Sequence, residues 1–469
     1  MAQKIISYFL FSILWCTATT QSLPDAVLTE QGFITIVRSY HPVAKQAELL
    51  VQKARADLRA TRGAFDPAFY ISNSQKTFDG KNYYSYTNPE LKIPTWYGIE
   101  LKAGLENNKG SLLNSESTDG KTSYAGVQVP LAKNLLIDKR RAALQQAKQA
   151  VSLSQTERLN LYNDLLFDAY ATYWAWVKEY QVYQLLTKSI ELNEARYGLI
   201  VKSYQQGDRR AIDTTLALSQ LQNLQLQQLD ALMRFRSAGF ELSNYMWLPN
   251  QQPYNMPETI LPDSAFNAVT IDNYQLEPVT NYITVAMAQH PKLQSFTYKL
   301  NMLEIERQLK FQSLLPTLDV SANVLNKGYD VVKSADWNYL QQNNKFGITL
   351  GMPLILRQGR GDYAAAKIKI QETGLSRSQV QLQIENKVKD YYTETLLLKK
   401  QVAAAQAKYK NDVQVFTAFE KLFRMGEAEL FLVNQFENTA LSSLQKLTEL
   451  KTKFFKSVIA LQWASGQLR

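Results

Sequence analysis

The chain repeats itself, and that constrains its fold more than any other feature. A shift of 249 residues lays FITIVRSYHP (Phe33–Pro42) on YITVAMAQHP (Tyr282–Pro291). The match runs without a gap to Pro67 and Pro316. Further on, VPL (Val129–Leu131) meets MPL (Met352–Leu354) at an offset of 223. From Ala147 and Ala366 the offset is 219, and it holds through Tyr173/Tyr392, Gly207/Gly426 and Leu242/Leu461. The largest length changes fall between the proline and VPL/MPL landmarks, as expected of loops between strands.

The only two histidines, His41 and His290, stand at the same point of the two copies, each followed by proline (Pro42, Pro291). A shared metal or catalytic site is one reading. The other takes each histidine as the N-cap of a proline-led helix, since proline suits the first helical position. Pseudo-symmetric copies tend to lie apart, which favours the caps. The helix opened by Pro42 ends near Gly63, before the FDP that follows.

Asp138–Gln206 has no proline and one glycine, Gly198, and Asp362–Met425 is similar with Gly374. Such a run, at ~1.5 Å per residue, spans on the order of 100 Å. No compact globule offers a face that long, so a coiled-coil or helical-barrel setting is implied. Leu447, Leu450, Phe454, Val458 and Leu461 form one apolar helical stripe. SQLQNLQLQQLD, with Gln220, Gln222, Gln225, Gln227 and Gln228, suits a wetted wall or an ordinary solvated face. Gly207 (YQQGDRR) and Gly426 (FRMGEAE) mark tight turns after which each chain half returns as a second helix.

Between the helices lie strand signals: DPAFYISNSQKTF, PTWYGIELKAGLEN and TSYAGVQVPL in the first half, TLDVSANVLN and KFGITLGMPL in the second. Each is close to the ~10 residues that cross a bilayer as a tilted strand. Tyr70, Trp96, Tyr97, Tyr124 and Phe346 are candidates for interfacial aromatic girdles. GKNYYSYTNPE, NSESTDGK and KGYDVVKSADWNYLQQNN read as exposed loops.

Ile5–Trp15 is an apolar stretch after Lys4, followed by small residues, and reads as a secretory signal peptide over residues 1–20. Lipidation at Cys16 is the alternative, disfavoured by Trp15 just before it. Cys16 is the only cysteine, so the processed chain would hold no disulfide and depend on packing. No later stretch is apolar for long enough to form a spanning helix, so a membrane role would require a β-barrel. The net charge is +10, but Lys and Arg are spread along the chain, which argues against nucleic acid.

In order, duplication and spacing, these features resemble the TolC-type outer-membrane efflux family over essentially the whole processed chain. The resemblance is carried by the duplicated HP helix entries, the strand exits VPL and MPL, and the segments IDKRRAALQQAKQA, RQGRGDYAAAKIKI, YQQGDRRAID and FRMGEAELFL. It implies a mainly α fold with a membrane β-barrel portion. Long antiparallel helices would build a trimeric α-barrel in the periplasm. Four strands per chain would join one twelve-stranded barrel in outer-membrane lipid. The organisation would be a first repeat over 21–247 (strands about 66–131), a proline-rich linker over 248–278 and a second repeat over 279–469 (strands about 316–354). PTWYGIELKAGLEN would then be an extracellular excursion or the true descending strand.

The resemblance also implies a homotrimer that docks a periplasmic adaptor and an inner-membrane pump of a tripartite efflux or type I secretion system. No cofactor or metal is implied. Docking and gating would fall at the tips: Tyr204, Gly207, Asp213, Phe423, Gly426, Glu427 and Glu429. The family's acidic positions after the second tip glycine are Leu432 and Gln435 here, and Phe423 and Ala428 replace its tyrosine and arginine. Asp213 keeps one acid in the first half, while Glu427 and Glu429 read as a solvated turn or as substitutes. An enzyme would need a nucleophile, metal cluster or cofactor loop, and no HExxH, P-loop or GxGxxG is present. Asp164 and Asp168, at i,i+4 on a helix, are the most tempting carboxylate pair and read as surface. A secreted structural coiled coil explains the helices but not the duplicated strand regions.

Overall fold

The computed structural model describes residues 27–263, 271, 274–329 and 343–468. The expected signal segment, parts of the 248–278 linker and most of the KGYDVVKSADWNYLQQNN loop lie outside these residues.

Short strand β1 (Val27–Leu28) precedes α1 (Glu30–Tyr40) and α2 (Pro42–Arg62). Strands β2 (Ala68–Phe78), β3 (Lys81–Pro94), β4 (Glu100–Lys109) and β5 (Gly120–Pro130) follow. The long hairpin α3 (Lys139–Gln205) and α4 (Ala211–Ser243) leads to β6 (Leu261–Pro262), which pairs in parallel with β1. The series then recurs as α5 (Val279–Gln289), α6 (Pro291–Gln312), β7 (Thr317–Lys327), β8 (Asn344–Gly351), α7 (Arg357–Arg424) and α8 (Leu430–Ala464). The paired helices match in length: α3 and α7 have 67 and 68 residues, α4 and α8 have 33 and 35.

The expectation of four strands per chain is corrected. One antiparallel sheet holds six, in the order β2-β3-β4-β5-β7-β8. The first half supplies four, because GKNYYSYTNPE is not a loop but most of β3. Asp79 and Gly80 take positive φ (52° and 73°) and form the two-residue hairpin turn that joins β2 to β3. Pro89 and Asn88, read as turn residues, sit inside the strand. The pairing of β3 with β4 is interrupted there, between Thr87–Asn107 and Glu90–Gly104, as a proline without N–H requires. PTWYGIELKAGLEN is neither an excursion nor the descending strand. Its first part is a turn at the helical end of the sheet, and Glu100–Lys109 runs away from the helices as β4.

Helix order follows from packing. In the lower layer α3 lies between α4 and α8, and α8 also packs on α7. Above it, α3 packs on α2 and α6, and α6 on α7. So α4 and α7 are the outer helices below, and α2 and α7 above. Between the layers lies the main core, where Phe33, Leu166, Trp176, Leu242 and Met246 are fully buried. Trp174 stacks on Phe455 at 4.5 Å and Tyr173 donates to the carbonyl of Leu28 at 3.0 Å. The stripe Leu447, Leu450, Phe454, Val458 and Leu461 on α8 is buried throughout. The linker is not merely polar: Ile260 and Ile271 are buried, and Lys399 donates to the carbonyl of Tyr274 at 2.8 Å.

Candidate channel wall and helix tips

The sheet has two chemically distinct faces. Because side chains alternate along a strand, register assigns each to one face. One face carries Phe69 and Ile71 on β2, Leu91 and Ile93 on β3, Leu101, Ala103 and Leu105 on β4. It continues with Ala125, Val127 and Val129 on β5, Leu318, Val320 and Ala322 on β7, and Phe346, Ile348 and Leu350 on β8. The other face carries Ser72, Ser74 and Lys76, then Glu90 and Lys92, then Glu100, Lys102 and Glu106. Thr122, Gln128, Asp319, Ser321, Asn323, Lys345 and Thr349 complete it.

Along β4 and β5 the apolar side chains are the more exposed and the polar ones the more covered. Several polar groups on the covered face bond to one another. Lys102 Nζ donates to Gln128 Oε1 at 2.7 Å, Thr122 Oγ1 donates to Glu106 at 3.1 Å, and Lys102 pairs with Glu100 at 3.5 Å. Gly104, Gly126, Gly347 and Gly351 all fall on this face. A Cβ on Gly104 would lie 2.6 Å from the Tyr124 ring, and one on Gly126 would collide with the Asn323 side chain. Missing side chains on one face let a sheet curl toward it. The polar face is therefore the one left free to turn inward. Of the girdle candidates, Phe346 is on the apolar face, whereas Tyr70 and Tyr124 are on the polar face. Trp96 and Tyr97 lie in the basal turn, where Trp96 stacks on Phe65 at 4.3 Å.

The two tips share one geometry. Gly207 (φ 83°) accepts the left-handed conformation that ends α3, with Asp208 N–H donating to Ser203 O at 2.9 Å and Gly207 N–H to Tyr204 O at 3.0 Å. Gly426 (φ 82°) repeats it with Glu427 to Leu422 at 2.9 Å and Gly426 to Phe423 at 3.1 Å. Between them Ile200, Ala217, Phe423, Leu430 and Val433 form a small core, with Ala428 packed against it. Phe423 thus sits inside the tip. The Arg209 guanidinium covers its ring at 4.2 Å and donates to its carbonyl at 2.8 Å. Asp213 is buried in the first turn of α4, where the helix dipole favours an acid. Tyr204, Glu427, Glu429 and Gln435 are exposed, and Leu432 is half-buried. Glu429 reaches Arg210 at 3.9 Å, a solvated pair of little weight.

Sequence reading missed the strongest polar contact near the tips. Arg196 on α3 and Glu437 on α8 pair at 2.6 Å with both side chains about nine-tenths buried, and Asn193 donates to the same carboxylate at 2.8 Å. Arg196 lies 11 residues before Gly207 and Glu437 lies 11 after Gly426. Nothing marks them in the repeat, since Val415 and Leu218 stand at their counterparts.

The histidines cap helices. His41 Nδ1 accepts from Val43 N–H at 3.2 Å and His290 Nδ1 from Lys292 N–H at 3.1 Å. His41 packs on Tyr245 and Trp247, while His290 packs beside Gly466, so each has its own neighbours. Burial, aided by Lys292 and Lys387, pushes His290 down to about 4, which keeps its ring neutral and its accepting nitrogen free near neutral pH. Among the described residues no group of three or more His, Cys, Asp or Glu is placed to hold a metal. Asp164 accepts from Trp463 Nε1 at 2.7 Å and ties α3 to α8. Asp168 is raised by its burial and then by Asp164. No described helix is long and apolar enough to cross a membrane.

Residues 282–467 match the sequence model of the outer membrane efflux protein family. The sequence matches no curated protein. Among solved structures, the outer membrane protein VceC of Vibrio cholerae is similar with a TM-score of 0.63 and 13% identity, over 93% of this chain and 95% of that one. The CmeC outer membrane channel of Campylobacter jejuni gives 0.62 and 13%, over 100% and 94%. The open-state MtrE outer membrane channel of Neisseria gonorrhoeae gives 0.64 and 13%, over 94% and 89%. The second repeat thus matches the outer membrane efflux protein family, and nearly the whole chain shares the fold of solved outer membrane channels.

Proposed function

We propose that this chain is the exit duct of a tripartite efflux or type I secretion system. Three copies form a β-barrel in the outer membrane and a helical tunnel in the periplasm, and the tunnel tips meet a periplasmic adaptor and an inner-membrane pump. Conduction is passive, the energy coming from the pump, and the chain needs no catalytic group or cofactor. Its two repeats, 21–247 and 279–469, supply equivalent portions of the wall.

The observation that carries this reading is that the molecule is half finished at every level. The sheet is polar on its inner face and apolar on its outer one, the arrangement of a water-filled barrel in lipid. Its edge strands β2 and β8 have no outer partner among the described residues. An open edge is not tolerated in hydrocarbon. The outer helices are unfinished in the same way. On α4, Leu226, Met233 and Phe240 recur every seven residues, each more than half exposed. On α7, Ile368, Leu375 and Leu382 do the same. A heptad of exposed apolar side chains on an outer helix is the seam of a further helix packing.

The tips are the proposed gate and docking point, with Tyr204, Glu427 and Glu429 exposed around the two turns. Opening is an outward untwisting of the hairpins at Gly207 and Gly426. No other group lies within 4 Å of where a Cβ would sit on either glycine, so a substitution acts through backbone strain rather than collision. Leucine in the left-handed conformation costs about 1–2 kcal/mol at each site. The double substitution Gly207→Leu, Gly426→Leu is expected to abolish export while trimers still assemble. Export at the wild-type rate from that variant would contradict the gate.

A further inference from the structure

We infer that each chain contributes six strands to the membrane wall, so that three chains close an eighteen-stranded barrel through β2 of one copy and β8 of the next. The inference rests on the trimeric reading above and adds the strand count and the closing seam.

The repeat shows what is extra. β2 corresponds to β7 at the offset of 249, and the end of β5 corresponds to the segment just after β8 at 223. β7 and β8 pair directly, whereas β3 and β4 stand between β2 and β5. An inserted hairpin could hang outside a barrel, but this one has the chemistry of the wall. Leu91 and Ile93 on β3 and Leu101, Ala103 and Leu105 on β4 continue the outer apolar belt. They lie level with Phe69 and Ile71 on one side and with Ala125, Val127 and Val129 on the other. Above that belt every strand presents a polar outward residue at the next position or the one after. Thr87, Asn107, Asn326 and Asn344 are such residues, and Ser123 ends the belt on β5. Glu90, Lys92, Glu100 and Lys102 continue the inner polar face.

Pairing leaves one way to close. β4 uses both edges, against β3 and β5, so it offers none to a neighbour. The strands alternate in direction, which makes β2 of one copy antiparallel to β8 of the next. The same two edges recur in the helical layer: β2 follows α2, β8 precedes α7, and α2 and α7 are the outer helices there. One neighbour therefore completes both layers on each side. The base of the insertion is also fixed. Arg141, held by Asp138 at 3.4 Å, donates to the carbonyls of Leu135 and Tyr97 at 3.1 and 3.5 Å. With strands ~4.8 Å apart and tilted ~40°, eighteen strands make a barrel about 36 Å across between backbones, against about 24 Å for twelve.

Cysteine pairs test this in the full-length chain, whose only cysteine, Cys16, precedes the described residues. One panel combines Ile71→Cys, Asn73→Cys or Gln75→Cys on β2 with Phe346→Cys, Ile348→Cys or Leu350→Cys on β8. A second combines Ala103→Cys, Leu105→Cys or Asn107→Cys on β4 with the same β8 positions. Single-cysteine variants, checked for heat-modifiable trimers, control for folding. After mild oxidation, at least one β2–β8 pair is expected to convert most chains to covalent dimers and trimers on non-reducing denaturing gels, with no β4–β8 pair doing so. Joining through β4 and β8 overturns the eighteen-strand closure and keeps the trimer. Native trimers that neither panel links also overturn it. Absence of any trimer in the single-cysteine controls overturns the trimeric reading itself.

Discussion

Ile348→Arg is expected to destabilise the membrane-inserted state by about 2–4 kcal/mol, whereas Thr349→Arg, one residue along β8, is expected to have little effect. Ile348 stands at the middle of the outward row Phe346, Ile348 and Leu350 and pairs with Val320 across the ladder. It is 60% exposed in the single chain, so little protein contact is lost by replacing it. The cost comes from placing a guanidinium in hydrocarbon. Thr349 points the other way, opposite Asp319, where an added arginine meets water and an acid. Urea titration of refolding into lipid vesicles reads the difference, which at 1.4 kcal/mol per decade is on the order of ten- to a thousandfold in the folding equilibrium. Equal effects at the two positions would contradict the assignment of faces.

Breaking the Arg196–Glu437 pair from one side carries a comparable effect at the other end of the molecule. Glu437→Leu leaves a buried guanidinium with no carboxylate, and removal of one partner of such a pair costs about 3–5 kcal/mol. Arg196 and Glu437 join α3 to α8, and so join the two hairpins, roughly 16 Å from the tips at 1.5 Å per residue. The loss should therefore appear as faster hydrogen exchange over the ends of α3 and α8, not over the sheet. The double variant Arg196→Met, Glu437→Leu is expected to recover most of the loss, because no charge is then stranded. A double variant as impaired as the single one would show that packing, not the ion pair, holds the hairpins together.

Beyond the long-range repeat, what could be read from sequence was local. Gly207 and Gly426 were legible because only a residue tolerant of positive φ ends a helix that way. His41–Pro42 and His290–Pro291 were legible because proline and an accepting side chain satisfy a helix start within two residues. The inserted hairpin was partly hidden by its own turn chemistry. Gly80, Asn82 and Pro89 look like a loop, and only the pairing with β2 and β4 shows a strand. Arg196 and Glu437 are 241 residues apart and outside the repeat, so no local pattern could join them. Leu226, Met233 and Phe240 do not stand out in the sequence, where the stretch around Leu226 reads only as a wetted or solvated face. It takes the helix order to show that α4 is an outer helix with this row exposed, which is where the proposed neighbouring copy would pack.

The central claim is that the half-finished sheet and helices of one chain are completed by two more copies in an outer membrane. Fractionation of cells producing the full-length chain, followed by electrophoresis with and without heating, tests this most directly. The expected result is a protein that sediments with outer membranes and migrates as a trimer until boiled. Recovery of the chain as a soluble periplasmic rod would contradict it.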